Sequence, residues 1–137
     1  MLATVRIRSQ IFAQLREEAA KTPAQECCGL LAGRDGIINA LFPARNVHAN
    51  PVTAYEIAPR ELFQFMREIR ARRLQLLGIY HSHPRGENRP SQRDIEQAFY
   101  PDTPYLILSP LQDAPQPVRA FWIRDGQVTE LKVEIAP

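Results

Sequence analysis

The sequence predicts an α/β fold in which a mixed β-sheet is sandwiched by helices. Three observations lead there. The stretches beginning at Ser9 and at Pro59 space their apolar residues three and four apart, the pattern of a one-sided helix. Several other stretches are short apolar runs of strand length. Two Asp-Gly pairs, Asp35-Gly36 and Asp125-Gly126, join neighbouring runs as hairpins. Helices interleaved with mainly hairpin-connected strands imply a mixed sheet lying between helices.

Taken in order, Thr4 to Ile7 alternate as a short strand. Ser9 is placed to cap a helix whose apolar residues are Ile11, Phe12, Leu15 and Ala19, and Pro23 ends it. The run from Glu26 to Gly33, ECCGLLAG, reads as a buried strand, and Ile37 to Phe42 as its hairpin partner. A loop with Asn46, His48, Asn50 and Pro51 precedes a further strand expected at Thr53 to Ile57. Pro59 opens an amphipathic helix whose apolar face is Leu62, Phe63, Met66 and Ile69. Leu74 to Tyr80 is apolar and short enough for a central strand. Ser91 begins a short helix through Ile95, Ala98 and Phe99, stopped by Pro101 and Pro104. Three strands close the chain, at Tyr105 to Leu108, Arg119 to Arg124 and Val128 to Ile135.

A chain of 137 residues is read as a single domain, residues 1–137, large enough for a core without disulfides. A net charge of +2 does not call for a nucleic-acid partner. Fifteen of the 17 basic residues are arginine, and the group Arg67, Arg70, Arg72 and Arg73 is expected to form a solvated helix face. The first ten residues, MLATVRIRSQ, lack the apolar centre of a signal peptide, and no apolar run is long enough to span a membrane. Cys27 and Cys28 are adjacent, which makes no disulfide framework, so a reducing, cytoplasmic setting is expected. Both cysteines are expected as buried strand residues, and His48 as a loop histidine.

The chemistry is concentrated in His81-Ser82-His83-Pro84 and Pro90-Ser91-Gln92-Arg93-Asp94. Histidines at i and i+2 on an extended segment point the same way, so both rings reach one ion. A carboxylate at the start of the following helix adds a third ligand. Two His and one Asp leave a fourth tetrahedral position open, the mark of a catalytic rather than a structural zinc site. Each part alone has a plain structural reading. Ser91 and Asp94 ahead of Ile95 also form a capping box, and Glu26 is an acid beside a strand.

The combination resembles the signature of the JAMM (MPN-plus) metallopeptidases: a glutamate upstream, His-Ser-His, seven residues, Ser, two residues and Asp. Glu26, His81, Ser82, His83, Ser91 and Asp94 fill it with no adjustment of spacing. The resemblance is to the small, stand-alone prokaryotic members, and it implies a core like that of cytidine deaminase. It implies one Zn2+ per chain held by His81, His83 and Asp94, with Glu26 as general acid/base and Ser91 as hydrogen-bond donor to the oxyanion. Ser82 then shapes the His-Ser-His turn. The implied substrate is the C-terminal Gly-Gly tail of a ubiquitin-like or β-grasp sulfur-carrier protein, cut at a peptide or isopeptide bond. The expected strand at Thr53 to Ile57 is a candidate edge for that tail.

The rival readings are a catalytically inactive MPN-type zinc-binding interaction module and a cysteine peptidase using Cys27 or Cys28 with His81. A zinc nucleoside deaminase shares the fold but needs His-x-Glu and Pro-Cys-x-x-Cys, and neither is present.

Overall fold

The protein is described by a computed structural model that covers residues 4–85 and 87–137; Met1 to Ala3 of the N-terminal reading, and Gly86, lie outside the described residues. The elements are β1 (Thr4–Arg8), α1 (Ser9–Lys21), β2 (Cys28–Arg34), β3 (Ile37–Ala44), α2 (Pro59–Ala71), β4 (Gln75–Ser82), α3 (Gln92–Glu96), β5 (Tyr105–Leu108), β6 (Val118–Arg124) and β7 (Gln127–Ala136).

The strands form one mixed sheet in the order β1-β3-β2-β4-β5-β6-β7. β1 also pairs with β7, in parallel, so the sheet curls shut. The β2–β3 and β6–β7 hairpins turn at Asp35-Gly36 and Asp125-Gly126. All four of those residues have φ between 51° and 76°, the left-handed geometry of the tight hairpin turn that suits Asp-Gly. β4 and β5 run parallel, linked by the segment that carries α3.

Two apolar layers follow from the alternation of the strands. On the inner face, Ile7, Leu31, Ile38, Tyr80, Leu106 and Trp122 pack with Ile11, Leu15 and Ala19 of α1. On the outer face, Leu30, Phe42, Ile79, Ile107, Phe121 and Ile123 pack under Ile69 of α2. Central strands are therefore buried on both faces, which is why β2 and β5 read as unbroken apolar runs. At Gly29 the backbones and rings crowd so closely that a Cβ would run into the Phe42 carbonyl oxygen and the Tyr80 ring.

Four local expectations are corrected. Ser9 is the first residue of α1 and makes no cap; Arg8 occupies the N-cap position without a side-chain hydrogen bond. On α2 the packed stripe is Leu62, Phe65 and Ile69, at i, i+3 and i+7, whereas Phe63 and Met66 sit on the flank and are exposed. Cys28 opens β2 and is buried, but Cys27 lies just before the strand and is half-buried. Thr53 to Ile57 is not a strand: a single antiparallel bridge joins Ile57 to Asn46. The four arginines of α2 and its C-terminal turn, Arg67, Arg70, Arg72 and Arg73, are exposed as expected. Among the described residues, no helix is long and apolar enough to cross a membrane.

Candidate metal centre

β4 ends at Ser82, in the middle of the His-Ser-His segment, and its extended backbone turns His81 and His83 to one side. Their Nε2 atoms lie 3.2 Å apart. Asp94, in the first turn of α3, completes the group: its Oδ1 is 3.1 Å from His81 Nε2 and its Oδ2 is 2.9 Å from His83 Nε2. Ligand atoms about 2.0–2.1 Å from a tetrahedral zinc ion stand ~3.3 Å from one another. The three side chains thus already have the spacing that such an ion requires, and the donor set, two imidazoles and a carboxylate, is one that zinc takes.

The surroundings hold the ligands in place. Asp94 Oδ2 also accepts the Ser91 N–H, at 2.9 Å, while the Ser91 hydroxyl oxygen accepts the Asp94 N–H, at 3.1 Å. That reciprocal capping box fixes where α3 begins and so where its carboxylate points. His83 Nδ1 donates to the Glu87 carbonyl, at 2.9 Å, which leaves Nε2 turned to the cluster. The ring of Tyr55 stacks on His81, with centroids 4.6 Å apart. Ser82 stitches the end of β4 to the segment before β2: its hydroxyl accepts the Cys27 N–H and its own N–H donates to the Cys27 carbonyl.

Electrostatics are polarised across the group. Burial pushes the Asp94 carboxyl up, but hydrogen bonds from His81 and His83 outweigh it and hold the group well below the usual carboxylate range. Burial lowers His81. For His83 burial also lowers, but bonds to Asp94 and the Glu87 carbonyl win and the ring is raised. Glu26 is 6% exposed, and burial raises its carboxyl to about 7. Its Oε1 is buried and has no hydrogen-bond partner among the described residues, an exception that buried polar atoms rarely make. Burial lifts the Cys27 and Cys28 thiols to about 11 and about 12, which keeps both protonated near neutral pH and argues against a thiolate nucleophile.

The structure brings His81, His83 and Asp94 together, with Glu26 close enough to feel the charges of His83 and Asp94. Sequence reasoning missed the opposite wall. Asn46 donates through Nδ2 to the carbonyls of Glu26 and Ala54, and its Oδ1 accepts the N–H groups of His48 and Glu56. His48 and Tyr55, carried on that loop, face a cleft of about 240 Å3 that also exposes His81 and Asp94. Only Asn46, His48, Asn50 and Pro51 marked the loop at all, and the part that carries Tyr55 was expected as a strand.

With this geometry established, comparison with known proteins is decisive. Residues 8–124 match the family model of prokaryotic homologues of the JAB domain. The chain belongs to this family. The JAB-domain homologue is 40% identical over 105 residues to a desampylase of Haloferax volcanii, covering 75% of this chain and 76% of that protein. It is also 40% identical over 123 residues to a probable TtuB-protein conjugate cleaving protease of Thermus thermophilus, covering 90% and 78%. A solved solution structure from Desulfitobacterium hafniense shares the fold of the JAB-domain homologue, with a TM-score of 0.82, 29% identity and coverage of 96% and 92%.

Proposed function

We propose that this JAB-domain homologue is a zinc-dependent metallopeptidase that hydrolyses a peptide or isopeptide bond at the C-terminal Gly-Gly tail of a ubiquitin-like or sulfur-carrier protein. The observation that carries the reading is the trio His81, His83 and Asp94 at metal-ligand spacing, near Glu26, whose buried Oε1 has no hydrogen-bond partner among the described residues. The names of its relatives, a desampylase and a conjugate-cleaving protease, support the substrate class.

In this reading His81, His83 and Asp94 hold one zinc ion per chain, and residues 1–137 act as a single domain. The ion supplies Lewis acidity, making water acidic near neutral pH and polarising a carbonyl. Glu26 takes a proton from the attacking water at its free Oε1 and later delivers it to the leaving amine. Burial, which raises this carboxyl in the metal-free protein, favours the protonated form that the second step needs. The Ser91 oxygen accepts from the Asp94 N–H, which leaves its own O–H to donate to the carbonyl oxygen as negative charge develops. The free thiols of Cys27 and Cys28 suit a reducing compartment such as the cytoplasm.

The test is mass spectrometry of a Gly-Gly-tailed β-grasp carrier bearing a C-terminal extension, incubated with the zinc-loaded protein. Cleavage after the second glycine is expected, lost in Glu26→Gln and after EDTA. Stoichiometric zinc without turnover on peptide-linked and isopeptide-linked carriers would instead identify an inactive zinc-binding module.

A further inference from the structure

The cleft over His81 and Asp94 has two unlike ends. Tyr55, Gln97 and Tyr105 continue from it into an apolar groove of about 220 Å3 bordered by Leu62, Met66 and Phe99. The remaining wall is polar and carries Arg93 and His48. Arg93 precedes Asp94 on α3, yet Asp94 spends its oxygens on His81, His83 and the Ser91 N–H. Among the described residues only Arg6, Arg72, Arg89 and Arg119 have a carboxylate within 4 Å, and Arg93 is one of the arginines without one. It lines the same cleft as His81 and Asp94, and its charge makes a small contribution at Glu26.

His48 adds a directional donor. Its Nδ1 accepts the Asn50 N–H at 2.9 Å, so in the neutral ring the proton sits on Nε2. Its own N–H is held by Asn46 Oδ1, and the ring is thereby fixed on the cleft wall. A guanidinium fork and an imidazole N–H are together a receptor for a planar carboxylate. Two acids, Glu56 and the candidate ligand Asp94, also line the cleft and oppose this charge.

The leaving group decides whether such a receptor has a ligand. In an α-linked tail the carboxylate carbon of the released residue is about 2.5 Å from the scissile nitrogen. In an isopeptide the nitrogen ends a lysine side chain, with no anion nearby. Resting on the hydrolase reading above, we propose that Arg93, assisted by His48, binds the α-carboxylate of the residue released. The preferred substrate is then a Gly-Gly tail extended by one amino acid with a free carboxylate. In that reaction the amide C–N bond breaks and water adds its oxygen to the glycine carbonyl carbon. Both protons of the water end on the departing α-amine, so a carboxylate tail and a free amino acid with an ammonium group are formed.

The probe is a ten-residue peptide ending Gly-Gly-Ala, compared with its C-terminal carboxamide and with a Gly-Gly tail isopeptide-linked to lysine. Two readouts are taken: kcat/KM of the zinc-loaded protein, and affinity of the zinc-free protein by NMR titration. The wild type is expected to favour the free acid over the amide at least tenfold in both. Arg93→Gln should level the two forms to within about twofold, Arg93→Lys should keep part of the preference, and His48→Gln should weaken it. Equal handling of acid and amide by the wild type, a preference that survives Arg93→Gln, or faster cleavage of the isopeptide would each overturn the proposal. Failure to cut any of the three would count against the hydrolase reading, while the titration still decides the role of Arg93: no acid-over-amide preference, or no binding at millimolar peptide, refutes it.

Discussion

Asn46 holds the main-chain carbonyl of Glu26 at 3.0 Å through its side-chain amide, and so ties the acid to the loop that forms the far wall of the cleft. The tie is doubled by the Glu26 N–H, which donates to the Pro51 carbonyl at 2.8 Å. Asn46→Ala removes two donors and an acceptor shared by His48 and Glu56, and leaves half-buried backbone groups unmatched. A loss of about 2–3 kcal/mol is expected by denaturant unfolding. Zinc affinity should change little, because none of the three candidate ligands touches Asn46, while turnover falls as Glu26 loses its position. An Ala variant with wild-type turnover would show that the loop does not position Glu26.

Glu26 makes stability depend on pH in a definite direction. Its folded carboxyl titrates at about 7 because of burial, against an ordinary value of 4.5. Below 4.5 the group is neutral whether the chain is folded or not, and costs nothing. Between 4.5 and about 7 the unfolded chain ionises first, so folding weakens as pH rises; above that window the cost is constant. Glu26→Gln removes it. In the zinc-free protein the variant should match wild type at pH 4.5 and exceed it at pH 8 by on the order of 2 kcal/mol, several degrees in Tm. Thermal scans at the two pH values check this; an equal offset at both would place the effect elsewhere.

The sequence displayed the cluster of His81, His83 and Asp94, the candidate metal ligands, because each member's position follows from local rules. The i, i+2 alternation of a strand aligns His81 with His83, and a capping box places Asp94 at the first turn of its helix. The hairpins were readable for the same reason, since Asp-Gly encodes its own turn. What escaped was set by contacts with no period. Thr53, Tyr55 and Ile57 alternate like a strand, but Asn46 takes up the Ala54 carbonyl and the Glu56 N–H with its side chain, leaving one bridge where a ladder was expected. The β1–β7 pairing joins residues 4–8 to 132–136, and nothing local to either segment announces a parallel partner so distant. Phe63 misled for a simpler reason: it is apolar but lies one residue off the stripe of Leu62, Phe65 and Ile69.

Tyr55 and His81 supply the last test. The two rings are 4.6 Å apart and inclined by 20°, a stacked pair inside the cleft. His81 is otherwise lightly held: its Nε2 faces the cluster, and its buried Nδ1 has no hydrogen-bond partner among the described residues. The usual second partner that orients a metal-bound histidine is therefore missing, and the stacked ring takes its place. Tyr55→Phe keeps the ring and should leave zinc affinity within about twofold of wild type. Tyr55→Ala frees the imidazole to rotate and opens one of its faces to water, and zinc binding should weaken by roughly tenfold, the lower end of the effect of losing an orienting partner. Competition with a chromophoric chelator measures both. Equal affinities for the Phe and Ala variants would mean that the β4 backbone alone orients His81, and that the stack contributes packing rather than alignment.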